Sequence, residues 1–357
     1  MTGKGALERK PDDPPGFSSS SVDLGETFDK YSYRKRWVQE RRYASLAAGR
    51  IRAFAPEVVL SSNTPLFAQR ILQPEVRKTG ARFVFWQQDI YSVAMGAAAR
   101  GAIPIAGGML ARVFEHMERR LLAASDHIVV ISSDFVEVLR RWRIPDDRID
   151  VIENWAPIDE LPVTPTYNAW RAEVGLDDRR VVLYSGTLGL KHNPQLLLDL
   201  AERLTARGDA QLVVVSEGRG ADWLRERAGT GTALVQLPFQ PFERMPEVFG
   251  SADVLTAILE PEAGVFSVPS KVLSYHCAGR ALLAAIPRGN LAARIIERAG
   301  SGIAVAPDDI PAFVAGAERL LDSDDLRASM GTRARAYAQG TFDIGRITDR
   351  FETLLRG

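Results

Sequence analysis

The sequence is poor in the residues that form disulfides and structural metal sites. Among its 357 residues are one cysteine, Cys277, and four histidines. No internal disulfide can form, and no Cys/His grouping has the spacing of structural zinc. The 45 basic residues balance the 45 acidic ones. The chain therefore has no net positive charge that would attract nucleic acid over its whole surface. We expect a protein of a reducing, cytosolic compartment.

Long apolar runs are also missing. The longest weakly polar stretch, residues 92–114, is interrupted by Arg100, Pro104 and Arg112, so it is a poor candidate for the roughly 20 residues that cross a bilayer. The first 21 residues lack the apolar core of a secretory signal. We therefore expect a soluble protein that could contact a membrane only at its surface.

The length predicts two domains, since one core usually organises about 150 residues. Short β-branched runs alternate with helical stretches in both halves. The predicted strands are 57–62, 81–87, 126–132 and 147–153, then 180–186, 210–218, 233–238, 252–259, 281–287 and 301–307. This alternation indicates an α/β protein with two doubly wound, Rossmann-like parallel sheets facing a cleft, where ligands of such sheets bind.

A Pro-rich segment separates the two series of strands and indicates a linker. The predicted organisation has five parts: an irregular segment with a basic helix at 1–56, an N-terminal domain at 57–156, a linker at 157–170, a C-terminal domain at 171–340 and a final helix at 341–357. The final helix is expected to pack back toward the N-terminal domain.

The beginning of the chain is anomalous for this architecture. A doubly wound domain normally opens with an apolar strand and a Gly-rich turn, whereas residues 1–29 contain no strand-like run. Either a strand–helix–strand piece is missing from the first domain, or its sheet begins at Glu57 with an exposed edge. We favour the missing piece.

A first candidate anion site follows the first strand of the second half. Gly186 and Gly189 lie in the loop, Lys191 follows, and Asn193 with Pro194 has the pattern of a helix start. Small residues let backbone N–H groups approach an anion, and a helix N-terminus and a lysine add positive charge. The pattern predicts a phosphate-binding loop. The alternative is a tight strand-to-helix turn.

Two later loops extend this candidate site. The loop with Gly218, Arg219 and Gly220 fails the dinucleotide-binding fingerprint GxGxxG because Trp223 occupies the third glycine position, which argues against NAD. The segment 259–280 ends in a predicted helix beginning at Pro269 or Ser270. Its free amides, with Ser270 and Lys271, could hold a diphosphate from the side opposite Lys191.

The order of five sequence motifs along the chain is specific enough to indicate a protein family. YSGTLGLKHN, LVVVSEGRG, LVQLPFQPFERMPEVFGSADVL and VPSKVLSYHCAGRALLA, preceded by DHIVVISSDFVEVLRRWRIPDDRIDVIENW, resemble the retaining glycosyltransferases of family 4, which have the GT-B fold. The resemblance is nearest to the branch that builds O-antigen, capsule and colanic-acid-type polysaccharides, and it covers roughly residues 57–340.

The resemblance implies a C-terminal domain that binds a nucleotide-diphosphate sugar and an N-terminal domain that binds the acceptor, with no metal and no cofactor. Lys191 matches the lysine that meets the donor diphosphate, and we expect it to be catalytic. The expected donor-binding residues are Gly186, Thr187, Gly189, Gly218, Arg219, Pro238, Gln240, Gly264, Val265, Phe266, Ser267, Ser270, Lys271 and Ser274. Of these, Pro238 and Gln240 match the region beside the nucleobase.

The chain departs from the family pattern in two places. Family members commonly carry two glutamates about eight residues apart; here the ribose-binding one falls on Ser274, and no acid lies eight or nine residues before it. The arginine that often precedes the lysine is also missing, since Thr187 follows Gly186. Backbone and hydroxyl groups could take over these contacts, or Arg219 or Arg244 could substitute.

In the N-terminal domain, Asp89 follows a predicted strand in WQQDIYSV. An Asp or His of this loop faces the cleft in related enzymes, so Asp89 is the candidate for orienting or deprotonating the acceptor hydroxyl. The alternative is a helix cap. Ser132, Ser133 and Asp134 are interpreted as an N-cap cluster. The histidines have no convincing Ser or Cys partner, which argues against triad hydrolases.

Residues 30–52 combine eight basic residues and four aromatic ones with a single acid, Glu40. This composition suits the headgroup layer of an anionic membrane and would fit a polyprenyl-diphosphate-linked acceptor at the inner face of the cell membrane. An ordinary solvated helix face is an equal alternative. No recognisable module indicates nucleic-acid binding.

The leading hypothesis is a retaining, metal-independent glycosyltransferase of cell-surface polysaccharide biosynthesis, which uses a nucleotide-sugar donor and a glycan or lipid-linked acceptor. Two alternatives stay open. The lost glutamates would fit a catalytically silent sugar-nucleotide-binding protein. A sugar-nucleotide 2-epimerase could share the architecture, but its carboxylate and histidine set is not found.

Overall fold

A computed structural model describes residues 11, 13–28, 32–102, 107–189, 192–261, 264 and 268–357. The chain divides into two compact units between Ile152 and Glu153. Each unit is built around a parallel sheet covered by helices, which confirms the predicted α/β class. Among the described residues, no helix has the length and apolar character needed to span a bilayer.

Unit 1 contains a four-stranded parallel sheet of order β1-β2-β3-β4. Phe83, Val84 and Phe85 of β2 are all buried, as expected for a strand covered on both faces. Its elements are α1 (Tyr33–Phe54), β1 (Val58–Ser62), α2 (Leu66–Lys78), β2 (Arg82–Gln87), α3 (Tyr91–Ala102), α4 (Gly107–Ala123), β3 (His127–Val130), α5 (Ser133–Arg141) and β4 (Ile149–Val151).

The four predicted strands of this unit agree with β1 to β4 within a few residues. The basic segment is a helix, α1, over its described part. Ala44 and Ala48 of α1 pack against Ala68 and Leu72 of α2, and the three small alanine side chains favour a close approach of the two helices. The first strand in the described residues is β1, which lies at an edge of the sheet.

Unit 2 contains a six-stranded parallel sheet of order β10-β9-β8-β5-β6-β7. All six predicted strands of this half are present. The elements are α6 (Ala169–Glu173), β5 (Arg180–Ser185), α7 (Pro194–Arg207), β6 (Ala210–Val215), α8 (Arg219–Arg227), β7 (Leu234–Leu237), α9 (Met245–Gly250), β8 (Val254–Ile258), α10 (Ser270–Cys277), β9 (Ala281–Ala285), α11 (Leu291–Ala299), β10 (Gly302–Val305), α12 (Ile310–Leu321), α13 (Asp324–Thr341) and α14 (Ile344–Arg356).

The caps of the unit 2 helices follow local sequence signals. The Asn193 side chain accepts a hydrogen bond from the Gln195 amide at 3.0 Å, with Pro194 as the first helical residue of α7. This confirms the predicted start of α7.

The last helix, α14, packs its Phe351 ring against Trp155 within the same unit, with ring centroids 6.3 Å apart. Its packing toward the N-terminal domain stays a prediction.

Candidate functional site

The centre of the unit 2 sheet is where its strand order reverses. From β5 the chain proceeds to β6 on one side, whereas β8 pairs with the opposite side of β5. The connections that leave β5 and β8 therefore diverge at the carboxyl edge, and ligands of open α/β sheets bind at such a point. The loop that begins at Gly186 follows β5, and Ser270 begins α10 after β8.

Lys271 is a charged residue that lies at this reversal point. Its stem is partly accessible, but its Nζ is fully buried and forms no hydrogen bond with any residue that the structure describes. The Nζ lies 3.7 Å from the ring centroid of Tyr184, the penultimate residue of β5. Burial lowers the pKa of Lys271 to about 7, because the desolvated ammonium is disfavoured.

Gly186 leaves room for this amine. Its φ of 123° lies in a region that L side chains rarely adopt, and a Cβ placed there would lie 3.3 Å from both Cε and Nζ of Lys271. The Lys271 amine is therefore directed at the backbone of Gly186. The Gly186 amide itself donates to the Val215 carbonyl at 3.0 Å, so the group left for an anion here is the buried Lys271 amine, which has no hydrogen-bond partner among the described residues.

Tyr275, one turn after Lys271, joins α10 to the end of β5. The Ser185 amide donates to Tyr275 Oη at 2.9 Å, and Tyr275 Oη donates to the Ser185 carbonyl at 3.1 Å. Burial raises the pKa of the Tyr275 phenol, so this group stays protonated. These two bonds hold the start of the Gly186 loop against α10.

The rest of the first predicted phosphate loop is held by local bonds. The Tyr184 hydroxyl donates to the Thr187 carbonyl at 2.9 Å. The Gly189 amide donates to His192 Nδ1 at 3.1 Å, so this amide is already used within the loop. Lys191, the predicted catalytic lysine, lies outside the described residues, and its role stays a prediction.

The second predicted loop packs on the first. A Cβ on Gly220 would lie 2.6 Å from the Leu188 carbonyl oxygen, so a glycine is required there for the two loops to touch. Gly218, with φ of 109°, precedes α8, and Arg219 is exposed. The structure therefore brings the Gly186 and Gly218 loops into contact, while a nucleotide pocket lined by the second loop stays a prediction.

The segment predicted beside the nucleobase is tied to the core of the unit. The buried Trp170 donates through Nε1 to Gln240 Oε1 at 3.0 Å, and Gln240 Nε2 donates to the Pro238 carbonyl at 3.0 Å. These residues follow β7 at the same carboxyl edge of the sheet. A nucleobase contact of Pro238 and Gln240 stays a prediction.

The loop after β8 is described only in part. The Gly264 carbonyl accepts a hydrogen bond from Asn290 Nδ2 at 2.6 Å, so a fully buried amide anchors this loop. Ser270 is exposed as the first residue of α10, and Ser274 follows one turn later, partly buried. The other residues predicted in this loop, Val265, Phe266 and Ser267, lie outside the described residues.

Arg244, one of two proposed substitutes for the missing arginine, is engaged elsewhere. Its guanidinium forms ion pairs with Glu173 at 2.8 Å and with Glu247 at 3.2 Å, and these partners raise its pKa. These ion pairs hold Arg244 against α6 and α9.

In unit 1, Asp89 lies between the carboxyl end of β2 and the start of α3 and is partly exposed. The first amides of α3 are bonded by another acid: Glu118 of α4 accepts from Tyr91 N at 2.9 Å and from Ser92 N at 2.8 Å. Burial raises the pKa of Glu118, and the Asp89 charge contributes, after burial, to a raised pKa of the Tyr91 phenol.

Two further sequence interpretations concern caps and metals. Ser132 accepts a hydrogen bond from the Asp134 amide at 3.2 Å and is the N-cap of α5, which confirms an N-cap in the predicted cluster, with Ser133 as the first helical residue. Across the described part of the chain, no three His, Cys, Asp or Glu side chains are grouped as metal ligands.

Sequence reasoning missed four residues that shape these sites: Tyr184, Tyr275, Asn290 and Glu118. Asn290 carries a visible signal, since Asn before an apolar helical run is a typical N-cap, and its side chain does accept from Ala292 N. The other three act through contacts between segments that are distant in sequence, or across a strand and its loop, and they leave no local pattern.

Comparisons with known proteins cover both units. Residues 10–155 match the family described as Glycosyl transferase 4-like domain, and residues 179–323 match the family described as Glycosyl transferases group 1. One relative is WcaI of Escherichia coli strain K12, whose name describes it as a putative glycosyl transferase of colanic acid biosynthesis. It is 25% identical over 317 residues, which are 86% of this chain and 75% of WcaI.

Solved structures share the fold. The sucrose-phosphate synthase of Thermosynechococcus elongatus has a TM-score of 0.78 at 14% identity, covering 99% of this chain and 85% of that one. HepE of Anabaena, in complex with UDP-glucose, has a TM-score of 0.70 at 14% identity, covering 88% of this chain and 82% of that one.

Proposed function

Because this chain belongs to the glycosyltransferases of family 4 and has the GT-B fold, we propose that it transfers a sugar, with retention and without a metal ion, from a nucleotide-diphosphate donor. The observation that carries this proposal is the buried Lys271 Nζ, which lies unpartnered among the described residues beside Gly186 at the point where the strand order reverses. Its charge suits a diphosphate.

Three groups would bind the donor diphosphate. Lys271 supplies a cation, the N-terminus of α10 supplies favourable partial charge, and Lys191 supplies a second cation from the other loop. That HepE was solved with UDP-glucose supports a nucleotide-sugar donor. Desolvated charges at the developing diphosphate can supply several kcal/mol of transition-state stabilisation, roughly 3 to 4. Lys191→Ala should therefore lower the rate by orders of magnitude with the fold intact.

The proposed reaction forms one bond and breaks one. The acceptor hydroxyl oxygen bonds to the anomeric carbon while the bond from that carbon to the diphosphate oxygen breaks, and the acceptor proton passes to the departing diphosphate. Asp89 orients the acceptor hydroxyl by accepting its hydrogen bond. Sugar transfer with retention is checked by the anomeric configuration of the product in NMR, and metal independence by full activity in excess chelator.

The acceptor is proposed from the relatives. WcaI is named for colanic acid biosynthesis, and this supports a glycan or a polyprenyl-diphosphate-linked acceptor in cell-surface polysaccharide biosynthesis. Contact of residues 30–52 with an anionic membrane stays a proposal. Three basic side chains of α1 have acidic partners, since Arg36 pairs with Glu40, Arg42 with Glu26, and Arg52 with Glu75, which weakens the helix as a membrane-binding surface.

The donor proposal is tested by calorimetric titration with a panel of nucleotide sugars. Lys271→Met, which removes the charge at similar size, should weaken binding by about 10- to 100-fold, the value of a hydrogen bond to a charged group. Lys78→Met removes an exposed lysine of unit 1 and should leave binding unchanged. Wild-type affinity in Lys271→Met would reject the assignment of this amine.

Turnover separates an enzyme from a silent binding protein. Release of nucleoside diphosphate in the presence of lipid-linked acceptor is expected of the enzyme. The silent alternative is favoured by Ser274, which occupies the position of the ribose glutamate on α10. Tight donor binding without any release across a panel of acceptors would support that alternative.

A further inference from the structure

A groove in unit 1 runs between α2 and α4, on helices that carry none of the predicted catalytic or donor-binding residues. It encloses a cavity of about 510 Å³. Its walls come mainly from the stretch of α2 that leads to β2 and from the stretch of α4 that leads to β3. The basic end of the groove therefore lies toward the amino ends of these parallel strands, whereas Asp89 follows the carboxyl end of β2.

The groove carries uncompensated positive charge. Arg70 and Arg77 of α2, with His116 and Arg120 of α4, line it together, and no acidic side chain lines it. None of the three arginines forms an ion pair within the described residues. Arg77 donates to the carbonyl of Ala124 at 2.7 Å, which places its guanidinium at the end of α4 while leaving its charge unneutralised.

The acids of the neighbouring surfaces are already engaged. Glu75 of α2 pairs with Arg52 of α1 and with Lys78 at 2.6 Å. Glu115 of α4 accepts from the Trp142 indole at 3.1 Å. Glu118 is buried against the start of α3. Because these carboxylates are engaged with other groups, none of them forms an ion pair with the arginines that line the groove.

The same helix face has an apolar end. Met109 and Val113 are 73% and 49% exposed, and they precede His116 and Arg120 at intervals of four, three and four residues, which places all four on one stripe of α4. The stripe is apolar at its start and basic at its end. This polarity matches a ligand that has an anionic head and an apolar tail.

We propose that the α2–α4 groove binds the phosphate of an anionic phospholipid headgroup at a membrane surface, with Arg70, Arg77 and Arg120 on the phosphate and Met109 and Val113 toward the acyl region. Membrane binding of this kind combines apolar burial with attraction to anionic lipid. The proposal does not depend on donor chemistry, because neither helix contributes to the predicted donor site.

The test is sedimentation of the full chain with vesicles of pure phosphatidylcholine and with vesicles that also contain the anionic lipid phosphatidylglycerol. Wild type should bind the anionic vesicles and not the neutral ones. The double variant Arg70→Gln/Arg120→Gln should lose about 30-fold in partitioning, at about 1 kcal/mol for each basic residue. Val113→Asp should also weaken binding, because it places a charge at the apolar end.

Two controls assign the effect to the groove. Arg319→Gln/Arg356→Gln removes two exposed arginines of unit 2 and should change nothing. Arg34→Gln/Arg41→Gln removes two exposed charges of α1 and should weaken binding less than the groove variant does. Nucleotide-sugar affinity should be unchanged in the groove variant, so that a failure of this proposal is distinguishable from a failure of the donor assignment.

Three results would overturn the proposal: wild-type vesicle binding by the groove variant, a larger loss in the α1 variant, or absence of any binding to anionic vesicles. A fourth is binding of inorganic phosphate in calorimetry that the groove variant abolishes, without any vesicle binding. That result would assign the groove to a soluble phosphate compound.

Discussion

The Nζ of Lys271 lies 3.7 Å from the centre of the Tyr184 ring. As an ammonium, this group would be attracted to the ring face, but a neutral face cannot replace the hydrogen bonds that a buried ammonium loses. The lysine therefore lies in a position that destabilises the charged form in the absence of an anion, and a donor diphosphate would relieve this cost.

The first prediction concerns the pH dependence of stability. The pKa of Lys271 is about 7 in the folded chain, against an ordinary value of 10.5. Between these values the unfolded chain binds a proton that the folded chain does not, so the Lys271 contribution to stability rises with pH. Lys271→Met has no titrating amine at this position, so it lacks this pH-dependent contribution to stability. Its melting temperature should exceed that of the wild type most at pH 6, and the difference should shrink toward pH 10.

Scanning fluorimetry of both proteins at pH 6, 8 and 10 measures this difference, because groups common to both cancel. A melting difference that is constant across pH would mean that Lys271 does not titrate as a buried amine.

The second prediction concerns Gly186→Ala. A side chain at φ of 123° is strained by roughly 1–3 kcal/mol, and the new Cβ would lie 3.3 Å from the Lys271 amine. Both stability and nucleotide-sugar affinity should fall. Gly231→Ala is the matched control, since Gly231 also has a positive φ, of 86°, but a Cβ placed there would have no other atom within 4 Å.

In calorimetry and thermal melts, Gly231→Ala should lose stability alone. Equal donor affinity in Gly186→Ala and wild type would show that this backbone does not contact the donor.

The third prediction concerns Tyr275→Phe. The change removes both hydrogen bonds to Ser185 and leaves a buried amide and carbonyl without this partner, at a cost of about 1–3 kcal/mol. Donor affinity should weaken severalfold, because Ser185 positions the Gly186 loop. Tyr337→Phe, which loses a hydrogen bond from Arg298, should leave donor affinity unchanged. Urea unfolding and calorimetry measure the two effects, and a donor affinity equally insensitive to both changes would contradict the proposed clamp.

The fourth prediction separates acceptor from donor chemistry. Asp89→Asn keeps the size of the side chain but removes its charge. Nucleotide-sugar binding should be unchanged, while transfer to the acceptor should fall by about 10²- to 10⁴-fold, the usual contribution of a positioned acid or base. Asp134→Asn, beside the N-cap of α5, should not affect transfer. Normal transfer by Asp89→Asn would remove this residue from the mechanism.

The strands could be predicted from the sequence because they are short, apolar on both faces and bounded by turn residues. Val182, Leu183 and Tyr184 of β5, for example, are all fully buried, as their unbroken apolar run indicates. Helix starts such as Asn193 with Pro194 could be predicted because a cap depends on neighbours within three residues.

The partners of the charged residues could not be predicted in the same way. The basic segment at 30–52 contains one acid in sequence, but in the structure Glu26 and Glu75 also pair with its arginines. A helix cap is one interpretation of Asp89 in the sequence, yet the first amides of α3 are bonded by Glu118, from the next helix. Such pairings depend on how helices pack on a sheet, which local spacing does not specify.

The sequence by itself determined the alternation of strands and helices, the loops at the carboxyl ends of β5, β6 and β8, and the candidates Gly186 and Lys271, because these follow from periodicity and local turn chemistry. Only the tertiary structure decided that Lys271 is buried over Tyr184 with its amine against Gly186, and that the arginines of α2 and α4 share one groove. Gly186 and Lys271 lie 85 positions apart in sequence and meet because β5 pairs with β8, and such an approach is set by the order of strands in the sheet.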